Sequence, residues 1–126
     1  MTAWDDSEIA RNKAKAQGIA LGDLDRLDLS PFDTLVLSPG VPLDQAPIVE
    51  ARNAGVSIMG EIELASRWLS GRIVAITGTK GKSTTTTLIG LMFDAGGLRA
   101  LVGGNIGTPL SSQVADSTPE TFHIVE

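Results

Sequence analysis

Short apolar runs alternate with helix-length stretches along this chain, and no other feature restricts its fold as much. Thr34-Leu35-Val36-Leu37, Ile73-Val74-Ala75-Ile76 and the segments 99–102 and 122–125 read as strands. A continuous apolar run without polar alternation fits a strand buried on both faces. Strands that alternate with helices build parallel sheets joined by crossover helices. The expected fold is therefore α/β: a Rossmann-like parallel half-domain, followed by the start of a P-loop-type α/β domain.

Punctuation residues set the element limits. Ser7 caps a helix through Gln17, and Gly18 stops it. A strand end at 2–4 precedes that helix, and a brief strand at 19–21 follows it. Residues 24–31 read as a connecting turn. A helix is expected from Gln45 to Ala54, stopped by Gly55, then a strand at 56–59 and a helix at 61–69. The longest helix is predicted over Lys82–Ala95, ended by Gly96-Gly97, and a last one over 110–115. Ser70-Gly71-Arg72 is the expected domain boundary, dividing 1–70 from 71–126. No strand–turn–helix unit precedes the first strand, and the last strand stops at the sheet edge where α/β proteins hold catalytic groups. A piece of a longer enzyme is the resulting expectation.

Composition narrows the class. The 126 residues carry a formal charge of −5, which gives no footing on nucleic acid or anionic lipid. Cysteine is absent, so disulfides and thiolate metal sites are excluded. No run approaches the roughly 18 apolar residues that span a bilayer. The N-terminus lacks a basic cluster, so it does not read as a secretory signal. These features predict a cytoplasmic protein.

The most specific motif is Gly78-Thr79-Lys80-Gly81-Lys82-Ser83-Thr84 after the strand 73–76. Gly78 and Gly81 allow a tight turn that brings N–H groups against oxygens. A helix N-terminus adds donors and partial positive charge. Lys82 supplies a full charge for β- and γ-phosphates, and Ser83 is placed to ligate Mg²⁺. The general pattern G-x-x-x-x-G-K-[ST] wants glycine at position 76, which is Ile76 here. The run Ser83 to Thr87, which includes Thr84 and Thr85, is unusual for a helix start because β-branched residues are mediocre helix formers, yet in a first turn hydroxyls can cap free amides or face phosphate. The plain alternative is a strand–helix corner with glycine for geometry.

Other candidates are less specific. Ser38, Pro39 and Gly40 sit at the carboxyl end of a strand, where α/β sheets bind ligands, although Ser-Pro-Gly is also good turn chemistry. Asp5 either accepts hydrogen bonds from a ribose or uracil or caps the first helix. Asn105 lies in the glycine-rich loop 103–109, which lets backbone approach a ligand. His123, the single histidine, reads as structural or solvent-facing. Trp4 and Trp68 read as core or interdomain packing.

The phosphate motif resembles the loop of the Mur ligases, Gly-Thr-Asn-Gly-Lys-Ser/Thr, which also lacks the early glycine. Leu37-Ser38-Pro39-Gly40-Val41-Pro42, Gly60-Glu61-Ile62-Glu63-Leu64 and Gly103-Gly104-Asn105-Ile106-Gly107-Thr108-Pro109 resemble stretches of the D-glutamate-adding members, in order and spacing along essentially the whole chain. Lys80 departs from the usual Asn and is closer to the related folylpolyglutamate synthases, which lack the other three stretches.

The resemblance implies an ATP-dependent ligase of peptidoglycan synthesis that joins D-glutamate to UDP-N-acetylmuramoyl-L-alanine through an acyl phosphate. It implies ATP contacts at Gly78, Thr79, Lys80, Gly81, Lys82, Ser83, Thr84 and Thr85. It implies catalytic roles for Lys82 and Glu126, Mg²⁺ at Ser83 and Glu126, and substrate contacts at Asp5, Ser38, Pro39, Gly40 and Asn105. The full-length enzyme is expected to be a monomer, and these residues alone to be inactive. A folylpolyglutamate-synthase-like ligase, or a nucleotide-binding module without ligase activity, remain the alternatives.

Overall fold

The structure, a computed structural model, describes residues 1–23 and 26–126; the first two residues of the turn expected at 24–31 lie outside the described residues. The chain forms two compact units, Met1–Leu35 with Pro42–Ser57, and Val36–Val41 with Ile58–Glu126.

In the first unit β1 (Thr2–Ala3) pairs in parallel with β2 (Ala20–Leu21), joined through helix α1 (Glu8–Ala16). Ser7 caps α1 by accepting the Ala10 amide at 3.4 Å. Helix α2 (Ala46–Asn53) opens on a proline in its first turn and supplies the buried Ile48 and Ala51. The proline fits there because the first helical N–H groups have no intrahelical partner.

Strand β3 (Thr34–Leu37) pairs with β4 (Ser57–Gly60) in a two-stranded sheet. The expected burial on both faces of β3 does not hold: exposure alternates, and Val36 is 41% exposed. With one strand partner and alternating burial, β3 has the pattern of a one-sided strand, in spite of its uniformly apolar sequence.

The second unit is built on a parallel sheet of order β5-β7-β6, from β5 (Arg72–Ala75), β7 (Phe122–Val125) and β6 (Ala100–Gly103). Central β7 pairs residue for residue with both neighbours: Ile73 and Leu101 flank His123, and Ala75 and Gly103 flank Val125. Helix α4 (Lys82–Ala95) is the β5 to β6 crossover and occupies the range expected from the sequence. It lies close on the sheet, since a Cβ at Gly90 would come within 2.5 Å of Val102 Cγ2. Phe93 meets Phe122 edge to face with ring centroids 4.8 Å apart.

Helix α3 (Glu61–Ser66) is shorter than expected. It packs through Ala65 against Leu110 and Val125, with Ile62, Leu69 and Val114 around them. The segment Leu110–Asp116 is a 3-10 helix, and Glu61 Oε1 accepts the Ser111 amide in its first turn at 2.6 Å. Neither tryptophan joins the core: Trp68 is 69% exposed, and Trp4 lies beneath the Arg11 guanidinium, 4.8 Å from the ring centroid.

Candidate functional site

The strand-to-helix corner after β5 carries the expected phosphate motif. Sheet pairing runs one residue past β5, where the Ile76 amide reaches Val125 O at 2.7 Å. The chain then leaves the sheet. Gly78 has φ 141°, and Gly81 has φ 77° and ψ 2°, the left-handed conformation that a Cβ disfavours. Gly81 is the N-cap residue of α4, with no side chain to satisfy the helix amides. The first return bond is Thr85 N to Gly81 O at 2.9 Å. From Gly78 to Thr84 no amide donates to an acceptor among the described residues. Thr79, Lys80, Ser83, Thr84 and Thr85 are exposed, and Lys82 is half-buried. A row of free donors at a helix N-terminus, with two lysines beside it, has the electrostatics of an anion cradle.

Glu126 extends from β7, the strand beside β5. Its backbone is held on both sides: its amide reaches Gly103 O at 3.1 Å, and its carbonyl accepts the Asn105 amide at 3.1 Å. Asn105 Nδ2 lies 3.5 Å from Glu126 Oε1, the long limit of a hydrogen bond. Glu126 Oε2 is shielded from solvent without a partner among the described residues. A carboxylate oxygen so placed needs a donor or a cation. Asn105 and Glu126 thus come together, at the same edge of the sheet from which the phosphate turn departs.

The remaining candidates behave as turn and cap residues. Asp5 Oδ1 accepts the Ser7 amide at 2.7 Å, so the helix-cap reading is realised, and its other oxygen makes no bond among the described residues. Ser38-Pro39-Gly40-Val41 closes a turn through Val41 N to Ser38 O at 3.3 Å, with Gly40 at φ 85°. Proline second and a positive φ third is the type II arrangement. Ser38, Pro39 and Gly40 are exposed and fall in the second unit; Asp5 is exposed and falls in the first.

One polar cluster was not foreseen. His123 is fully buried, so it is structural and not solvent-facing. Ser117 Oγ accepts the amides of Ser70 and Gly71 at 2.9 and 3.0 Å. Its single hydrogen therefore goes to His123 Nε2, 2.9 Å away. That leaves the ring's single N–H on Nδ1, which donates to Gln113 Oε1 at 2.7 Å. Burial pushes the imidazole pKa down from 6.5, and the Arg99 charge adds to the effect. The single histidine in a strand was the available signal, but its partners lie six and ten residues away, Gln113 in the segment read as a helix over 110–115 and Ser117 just beyond it.

Among the described residues no helix is long and apolar enough to cross a membrane. Among the described residues no group of three or more His, Cys, Asp or Glu is poised to hold a metal.

A three-stranded parallel sheet, a crossover helix and a glycine turn opening that helix define an α/β protein with a P-loop-type corner. Of the chain, 99% superposes on 43% of the crystal structure of UDP-N-acetylmuramate:L-alanyl-gamma-D-glutamyl-meso-diaminopimelate ligase from Neisseria meningitides, with TM-score 0.56 and 22% identity, a likeness of fold. No family model matches the sequence. Sequence relatives are nearer. The UDP-N-acetylmuramoylalanine–D-glutamate ligase of Koribacter versatilis is 47% identical over 94 residues, 75% of this chain and 21% of its own. That of Sphingopyxis alaskensis is 47% identical over 115 residues, 87% and 26%. That of Pelotomaculum thermopropionicum is 41% identical over 123 residues, 98% and 27%. The chain spans about a quarter of the length of these relatives. Over that stretch it is similar to the UDP-N-acetylmuramoylalanine–D-glutamate ligases.

Proposed function

We propose that the turn 78–84 cradles the triphosphate of ATP, and that the protein carrying this chain adds D-glutamate to UDP-N-acetylmuramoyl-L-alanine. The observation that carries this reading is the set of unbonded amides from Gly78 to Thr84, opened by two positive-φ glycines. The similarity to D-glutamate ligases supports the choice of substrates. Residues 71–126 then begin the ATP-binding domain, and residues 1–70 belong to the domain for the UDP-linked substrate. The reaction takes place in the cytoplasm, with the full-length protein as a monomer.

The chemistry follows from phosphoryl transfer, where a protein mainly positions groups and neutralises charge. The substrate carboxylate attacks the γ-phosphorus and ADP leaves. The amine of D-glutamate attacks the resulting acyl phosphate, loses a proton and expels phosphate, giving the amide. Lys82 neutralises charge on the γ-phosphoryl as it moves. Thr79, Lys80, Thr84 and Thr85 line the same turn, and the Lys80 charge is compatible with a polyanion. When bound, Mg²⁺ would supply further charge neutralisation. Ser83, with an exposed hydroxyl, and Glu126, with a shielded unpartnered oxygen, fit as its protein ligands. Asn105 steadies Glu126 and faces the substrate, as do Ser38, Pro39 and Gly40. The unbonded oxygen of Asp5 receives a ribose or uracil donor.

Isothermal titration of Mg-ATP against the wild-type chain and Lys82→Ala tests the turn. Loss of a charge-assisted contact is expected to weaken binding by about 10- to 100-fold; equal affinities would remove Lys82 from the site. In the full-length protein, phosphate release should require both UDP-N-acetylmuramoyl-L-alanine and D-glutamate. Release that needs neither would refute the substrate assignment.

A further inference from the structure

The run Ser83-Thr84-Thr85-Thr86-Thr87 fills the start of α4 with residues of modest helix propensity. Two of them make the same bond. Thr86 Oγ1 donates to Lys82 O at 2.8 Å, and Thr87 Oγ1 donates to Ser83 O at 2.8 Å. Each carbonyl therefore takes a hydroxyl in addition to the helical N–H from four residues on. Thr86 is fully buried and Thr87 is exposed, so burial does not account for the repeated bond.

A carbonyl and the next residue's N–H share one rigid trans peptide plane and point in opposite directions. A hydroxyl that pins the Lys82 carbonyl thereby fixes the Ser83 N–H. One that pins the Ser83 carbonyl fixes the Thr84 N–H. Both amides belong to the opening turn of α4 that has no acceptor among the described residues. At a helix start such N–H groups point out of the helix, toward whatever sits at its N-terminus.

We propose that Thr86 and Thr87 are positioning residues: their hydroxyls hold two successive peptide planes so that the Ser83 and Thr84 amides are aimed at a polyphosphate before it binds. This rests on the phosphate-turn reading above and extends it to side chains that do not touch the ligand. Hydroxyl bonds of this kind slightly weaken and bend a helix. Ordering the donors in advance lowers what binding must otherwise spend on order.

Thr86→Val and Thr87→Val exchange the hydroxyl for a methyl at constant branching, while Thr86→Ser and Thr87→Ser keep the hydroxyl. The first measurement needs no ligand. In NMR spectra of the free chain, the carbonyl carbons of Lys82 and Ser83 and the amides of Ser83 and Thr84 should move in the valine variants and stay near wild type in the serine variants. The second is titration with Mg-ATP and with magnesium tripolyphosphate. Each valine variant should bind about threefold to tenfold more weakly, as for one lost hydrogen bond, with serine restoring affinity and the thermal midpoint of Thr87→Val unchanged. Unmoved carbonyl resonances, or valine variants that bind as wild type does, overturn the proposal. A wild-type chain that binds neither probe while its carbonyls respond to valine refutes the phosphate-turn reading, and the assigned role with it. Thr87 is exposed, so its pair of variants decides the outcome if Thr86→Val does not fold.

Discussion

The two compact units obtain their order differently. The first has a parallel pair of two-residue strands, a helix α1 with no buried residue, and a core in which Ile48, Ala51 and Val56 are the buried hydrophobic residues among those described. The second has a three-stranded sheet whose central strand buries His123, Ile124 and Val125, with Thr86, Leu110, Gln113 and Thr121 also buried. Three apolar side chains and a capped helix make a unit held by local bonds. A central strand with neighbours on both edges makes one held by long-range packing, and packing is the larger source of stability. The glycine turn 78–84 belongs to the second kind of unit, where the strand that launches it cannot shift without breaking a ladder.

The contrast can be broken first at the centre of β7. Ile124→Ala leaves a cavity at a fully buried site and should cost about 4 kcal/mol, read by urea unfolding of the second unit's amides. A loss below about 1 kcal/mol would mean that β7 does not anchor this unit.

Acid sharpens the contrast, because the chain's single histidine lies in the second unit. The folded pKa of His123 is below 6.5, so above that pH the ring is neutral in folded and unfolded chains alike. As pH falls below about 6.5 the unfolded chain binds the proton first, and stability declines by up to about 1.4 kcal/mol per pH unit until the folded pKa is passed. Hydrogen exchange corrected for intrinsic rates, compared at pH 7.5 and 5.5, should show protection lost in β5, β6 and β7. A pH-independent second unit would contradict the buried Gln113–His123–Ser117 hydrogen bonds.

In the first unit, Ser7→Ala should cost about 0.5 kcal/mol, the low end for an N-cap because the bond is 3.4 Å long. It should appear as faster exchange confined to α1. The smallest effect belongs to the exposed pair Arg67–Glu63, joined at 2.9 Å with both side chains more than half exposed. Arg67→Ala should cost about 0.3 kcal/mol in thermal unfolding, and a value above about 1 kcal/mol would give surface charge a weight not allowed for here.

Local signals made much of this legible. Residues 82–95 could be read as a helix because Gly81 and Gly96 punctuate both ends, and 122–125 as a strand because turn residues precede it. The glycine turn at 78–84 was readable for the same reason: strand, glycines, lysine and hydroxyls are consecutive. Long-range facts were not. Whether Thr34–Leu37 has one covered face or two depends on what packs on it, and the uniform apolar sequence gave the wrong answer. The exposure of Trp68 was hidden in the same way. The Ser117 hydroxyl that joins His123 to the amides of Ser70 and Gly71 depends on sheet register, which no run of residues announces. Asp5 was balanced between cap and ligand group, and its geometry carries a cap bond on one oxygen, with no partner for the other among the described residues.

The flush seat of α4 on β6 makes position 90 a fulcrum. At about 1.5 Å per residue, Lys82 stands roughly 12 Å along the axis from Gly90. A methyl wedged between Gly90 and Val102 would prise the helix upward near its middle and swing its leading end by leverage, so the aim of the opening turn is set partly by one missing side chain two turns behind it.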